Sequence, residues 1–142
     1  MDAWELRYRI YAHLAEFGTA PAPATLDGWT GAPEATARGL AELHERHAIV
    51  LDQDGAIRMA LPFSAIPTDH RVVAGDRSWF ANCAWDALAI PVLLGVDARI
   101  EAPWLDGDPV GLSVAGGQLS STDGWVHYAV PAARWWDDIV ET

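Results

Sequence analysis

The 142-residue sequence holds one cysteine, Cys83, and no lysine; all nine of its basic residues are arginine. A single thiol excludes an internal disulfide, which fits a reducing compartment and sets the expectation of a cytoplasmic protein. No apolar run approaches the roughly 18 residues that a membrane span needs. The first residues, Met1-Asp2-Ala3-Trp4-Glu5, are acidic and lack the basic start of a secretory signal. Positive charge is scarce against 20 carboxylates, giving a net charge of −11. Residues 1–62 carry −4 and residues 63–142 carry −7, so neither half matches nucleic acid or an anionic membrane.

Apolar residues make up 51% of the chain, enough for a packed core and too many for disorder. Residues 2–17 read as an amphipathic helix. Trp4, Tyr8, Tyr11 and Phe17 fall near helical spacing, with Leu6, Ile10 and Leu14 filling the stripe. Gly18 marks its stop. Thr25 is the expected cap of a short second helix through Trp29. Pro33 suits the first position of a third helix, 33–47, with Ala37, Leu40, Ala41, Leu43 and His44 on one side. Ile49-Val50-Leu51 reads as a strand, Asp54-Gly55 as a hairpin turn, and residues 56–61 as the returning strand.

Three helices and a hairpin outline a winged-helix-like unit over residues 1–62. That outline is commonly tied to DNA, but the third helix sets Arg38 and Arg46 against Glu34, Glu42 and Glu45. Packing on the second half, or dimerisation, is the better expectation, because fold does not fix function.

Residues 63–142 read as an α+β core. Strands are expected at 70–74, 78–81, 98–102, 110–114, 119–121 and 125–130, with turns at Gly75-Asp76, Gly116-Gly117 and Asp123-Gly124. A buried helix is expected from Cys83 to Leu94, with Pro91 in its last turn and Gly95 as its end. A terminal helical segment follows Pro131, from Ala132 to Thr142. The fold class is therefore α+β: a helical N-terminal unit packed on a mixed, mainly antiparallel sheet.

The chemistry-bearing segment is Asn82-Cys83-Ala84-Trp85-Asp86. With Asn82 as a cap, Cys83 takes the first helical position, where the helix end favours thiolate. Asp86 lies three residues on, on the same face. A thiolate binds a soft metal or electrophile, and a neighbouring carboxylic acid can deliver a proton. The same two residues also suit a small core side chain and an ordinary first-turn acid. His44 and His47 could grip a metal at i, i+3, or simply complement a helix C-terminus. The eight tryptophans could line an apolar pocket, though core filling is the plainer expectation. Asp106 and Asp108 read as a turn, and Asp137 and Asp138 as a solvated face.

The string Ser78-Trp79-Phe80-Ala81-Asn82-Cys83-Ala84-Trp85-Asp86-Ala87-Leu88, continuing to Ile90-Pro91-Val92-Leu93-Leu94-Gly95, resembles bacterial organomercurial lyase (alkylmercury lyase). The shared features are an aromatic entry, Cys-x-x-Asp, and an apolar helix with Pro that ends in Leu-Gly. The resemblance implies protonolysis of a carbon–mercury bond without a cofactor. Cys83 would be the mercury ligand and Asp86 the proton shuttle, with a small organomercurial as substrate.

The family uses a second cysteine, which would fall near or just past Thr142. The expectation is a shortened form, or a relative impaired in turnover that needs an external thiol. Such a relative would bind a soft metal or apolar ligand, or cleave a different carbon–heteroatom bond.

Overall fold

A computed structural model describes residues 1–140 of the chain. It opens with three helices, α1 (Ala3–Phe17), α2 (Pro23–Thr30) and α3 (Pro33–Glu45). Asp2 caps α1 by accepting the Glu5 N–H at 2.8 Å, and Gly18 closes it in the left-handed region, φ 72°. The inward face of α1 is Ala3, Leu6, Ile10 and Leu14. Trp4, Tyr8 and Phe17, expected in the stripe, are exposed. Two residues along a helix turn the direction by about 200°, so the line through positions 4 and 8 faces away from the line through 6, 10 and 14.

Helix α2 starts at Pro23 behind Ala22, not at a Thr25 cap, because proline at the first position is already set for helix. Helix α3 starts at Pro33 as expected but ends at Glu45. Its packed face is Thr36, Leu40 and Leu43, while Ala37, Ala41 and His44 turn outward. The buried Thr36 hydroxyl donates to Asp27 at 2.7 Å and lies 2.7 Å from that of Thr30, tying α3 to α2.

Eight strands follow: β1 (Val50–Leu51), β2 (Ile57–Ala60), β3 (Phe63–Ser64), β4 (Arg71–Ala74), β5 (Arg77–Ala81), β6 (Ala98–Pro103), β7 (Pro109–Ala115) and β8 (Gln118–Leu119). They form one sheet in the order β1-β2-β3-β5-β4-β6-β7-β8, with every pairing antiparallel. With the helices this makes an α+β fold. The two-residue β3 was not read from the sequence. It joins the β1–β2 hairpin to β5 through Met59↔Ser64 and Phe63↔Ala81. Gly116 and Gly117, at φ 55° and 75°, supply the positive dihedrals that a two-residue hairpin turn requires.

Helix α4 (Ala84–Leu94) leaves the end of β5 and packs on β4, β5 and β6. It is buried only along Ala87, Ile90 and Pro91, whereas Trp85, Val92 and Leu93 are exposed, so the expected buried helix is buried on one face. Trp79 on β5 is 1% exposed, and its indole N–H is shared between the carbonyls of Leu14 and Ala15, both at 3.0 Å. This contact fixes the end of α1 against the sheet.

The expected strand over 125–130 is absent. The sheet edge closes at β8, and Trp125 beyond it is 96% exposed with no strand to pair with. A 3-10 helix spans Ala132–Asp137. The last two residues of the expected terminal helix lie outside the described residues. Among the described residues no helix is long and apolar enough to cross a membrane.

Candidate functional site

Strand β5 ends at Ala81, and Asn82 and Cys83 lead directly into α4. The cap is Cys83 itself, with extended backbone (φ −152°, ψ 178°), and not Asn82. The Cys83 Sγ accepts the Asp86 N–H at 3.5 Å. Asn82 is engaged elsewhere. Its side-chain amide donates to the carbonyls of Pro62 and Phe63, each at 3.2 Å, and to Asp86 Oδ2 at 3.1 Å. One amide thus holds the Asp86 carboxylate to the segment that enters β3. The Asn82 Oδ1 is buried and has no hydrogen-bond partner.

The helix end was expected to make Cys83 a ready thiolate. Instead its pKa is raised. Burial is the main cause, and the Asp86 charge and side chain add to it; the N–H groups of Asp86 and Trp85 pull the other way and lose. Asp86 is also raised, chiefly by burial, against the stabilising hydrogen bonds from Asn82 and Cys83. Both members of the pair are therefore biased toward holding a proton, as two acids sharing one half-buried place should be.

The pair faces a cavity of about 100 Å³. Met59 and Leu61, Trp85, and Tyr128, Trp135 and Ile139 supply its other walls. Tyr128 and Trp135 pack ring to ring at 4.8 Å, and the Trp135 indole donates to the Val130 carbonyl at 2.8 Å. The phenol of Tyr128 is raised by desolvation and then by the nearby Cys83 and Asp86. Met59, Leu61 and Tyr128 did not stand out in the sequence as site residues, whereas Trp135 was one of the eight tryptophans that could line an apolar pocket. They reach the cavity from the end of β2 and from the terminal segment, and only the chain path brings them there.

The other constellations disperse. His44 Nδ1 lies 3.3 Å from the Ile49 carbonyl and accepts the Leu51 N–H at 3.4 Å, whereas the His47 ring stacks on Trp136 at 3.9 Å. Among the described residues no group of three or more His, Cys, Asp or Glu is placed to hold a metal. Asp106 accepts the Asp108 N–H at 3.2 Å in a turn, and Asp137 pairs with Arg134 at 3.0 Å. Core filling accounts fully for only one tryptophan: Trp79 alone belongs to the buried core, while Trp4, Trp85, Trp104 and Trp125 are exposed.

Residues 63–142, more than half of the chain, match the family model of alkylmercury lyase, MerB. The chain belongs to the alkylmercury lyase family. It is also similar to a crystal structure of the mercury-bound form of MerB2, with 28% sequence identity and a TM-score of 0.68. That similarity covers 85% of this chain and 59% of the MerB2 chain, so the present chain spans well under two thirds of that relative. No curated protein matches the sequence. The alkylmercury lyase match contains Cys83, Asp86 and the whole of α4.

Proposed function

We propose that this chain acts as an organomercurial-lyase-like protein that cleaves carbon–mercury bonds by protonolysis. The observation that carries the reading is the Cys83–Asp86 pair, joined across the first turn of α4 and facing one apolar-walled cavity. Membership in the alkylmercury lyase family and likeness to a mercury-bound relative support it.

In this reading the Cys83 Sγ bonds to the mercury of R–Hg–X, and the thiol proton leaves with X. Mercury(II) is soft and favours sulfur. Asp86, biased by burial toward its protonated form, then gives its proton to the carbon as the C–Hg bond breaks and R–H departs. Mercury stays on Cys83. A second thiolate makes carbon easier to protonate by adding electron density to mercury; with one cysteine among these 142 residues, an external thiol fills that role.

The family match begins at residue 63, which supports treating residues 63–142 as the mercury-handling core; residues 1–62 are a winged-helix-like support, whose net charge of −4 disfavours DNA. A reducing, cytoplasmic setting suits a free thiol of this kind. A second reading has its own support in the single thiol: a catalytically impaired relative that holds a soft metal or apolar ligand, or cleaves a different carbon–heteroatom bond.

Titration of the chain with an organomercurial in excess thiol, with analysis of the released hydrocarbon, separates the two. Release of R–H with the proton drawn from solvent establishes the lyase reading. Tight binding without R–H rejects it and leaves the binding reading.

A further inference from the structure

A second cavity, of about 150 Å³, shares no lining residue with the Cys83 cavity. It lies between the start of α4 and strands β6, β7 and β8, beneath the segment that follows β8. Its inner walls are Leu88, Ile100, Leu112 and Leu119, all core or core-packed side chains. Trp104 and Trp125 are among its lining residues, and both are exposed, at 46% and 96%. Gly124 lets the segment lie flat on the Trp104 ring; a Cβ there would stand 3.3 Å from the ring.

The inner walls come largely from paired strands and apolar side chains. Ile100 and Leu112 sit opposite each other in the β6–β7 ladder, and the Ser121 hydroxyl accepts the Asp123 N–H at 3.1 Å. Ordered water needs two to four polar partners, which the apolar inner walls do not offer, and a space of roughly this size is large enough to take benzene. No charged side chain other than Asp123 borders the space, and burying an unpaired charge is costly.

We propose that this cavity is a binding site for a small uncharged hydrocarbon of about the size of a benzene ring. The fit rests on volume, apolar inner walls and the Trp104 ring that lies beside Gly124 at the cavity's edge. Ala84, next in the chain to Cys83, forms part of the wall, so the site adjoins the thiol without containing it. Its use as a receiver for an organic group freed at Cys83 rests on the lyase reading; the binding itself does not.

The test is a benzene titration of the full chain, read by NMR of the Leu88, Leu112 and Leu119 methyls and the Trp104 indole. Saturable shifts at these groups are expected, unchanged in Cys83→Ser. Ala102→Leu and Val110→Phe, which add bulk to the walls, should each weaken binding at least about tenfold by reducing the space for the ligand. Thermal melts confirm that the variants are folded, and two fillers guard against the failure of one. Benzoate should bind at least about tenfold more weakly than benzene, since its charge must be desolvated. Shifts that never saturate, shifts confined to the Met59 methyl of the other cavity, or equal binding by a folded filler would each overturn the proposal. None of these results depends on whether hydrocarbon is released from a mercurial.

Discussion

The backbone N–H of Asp86 points at the sulfur of Cys83, 3.5 Å away, while the Asp86 carboxylate is held from behind by the Asn82 amide at 3.1 Å. A thiol and a carboxyl group are thereby fixed by three consecutive devices of one helix start: strand end, cap and first turn. The arrangement makes separable demands on the two residues.

Cys83→Ser is expected to abolish stoichiometric binding of Hg(II) and of organomercurials, because a hydroxyl is a poor ligand for a soft metal. Asp86→Asn should leave binding largely intact and slow proton delivery to carbon by about 100-fold or more, the usual contribution of a positioned general acid. Mercury titration with hydrocarbon analysis in excess thiol reads both. Unchanged mercury binding by Cys83→Ser would remove Cys83 from the site.

Burial holds the Cys83 thiol above its ordinary range, so its alkylation by iodoacetamide should accelerate only at pH above that of a free thiol. Asp86→Asn removes a charge that pushes the thiol up, and should move the alkylation profile to lower pH. An unshifted profile would mean that the two groups do not sense each other.

The same shifts bear on stability. Asp86 is held toward its neutral form, so its contribution favours the fold at low pH and is lost as pH rises through its raised pKa. Above the ordinary carboxylate range, ionisation of Asp86 costs the folded state more than the unfolded chain. Asp86→Asn should therefore unfold at higher denaturant than the parent at pH 7, with the gap closing below the ordinary carboxylate range. Urea titrations at the two pH values check this.

Trp79→Ala should cost about 3–5 kcal/mol, the usual range for emptying a buried aromatic site. Trp79→Phe keeps most of the volume but removes the donor to Leu14 and Ala15, and should cost about 1–2 kcal/mol. Equilibrium unfolding in urea gives both. A phenylalanine variant as stable as the parent would show that the indole hydrogen bonds add nothing.

Gly18 is strained by any side chain for two reasons: its φ is 72°, and a Cβ would run into the Ser78 carbonyl. Gly31, at φ 90°, has nothing near its Cβ position. Gly31→Ala should lose about 1 kcal/mol from the backbone alone, and Gly18→Ala distinctly more. Equal losses in thermal or urea unfolding would remove the contact from the account.

Much of this protein is legible in its sequence because local rules decide it. Proline at position 33, glycine at 18 and 95, and the Asp54-Gly55 pair set a helix start, two helix ends and a turn through backbone sterics that need no distant partner. The segment from Ser78 to Gly95 carries the family signature and the Cys83–Asp86 spacing in the same way, since three residues of helix separate the two wherever the helix lies. What needed the tertiary structure depends on neighbours far along the chain. The face of α1 that turns inward was decided by the α3 and β5 it meets, so its aliphatic residues and not Trp4, Tyr8 or Phe17 enter the core. The strand expected at 125–130 found no partner beyond β8. The thiol's proton affinity was settled by burial, a property of the whole cavity that outweighed the helix end legible at Asn82-Cys83. Met59, Leu61 and Tyr128 became site residues only because the chain's path carries them to one place, and no spacing rule links positions so far apart.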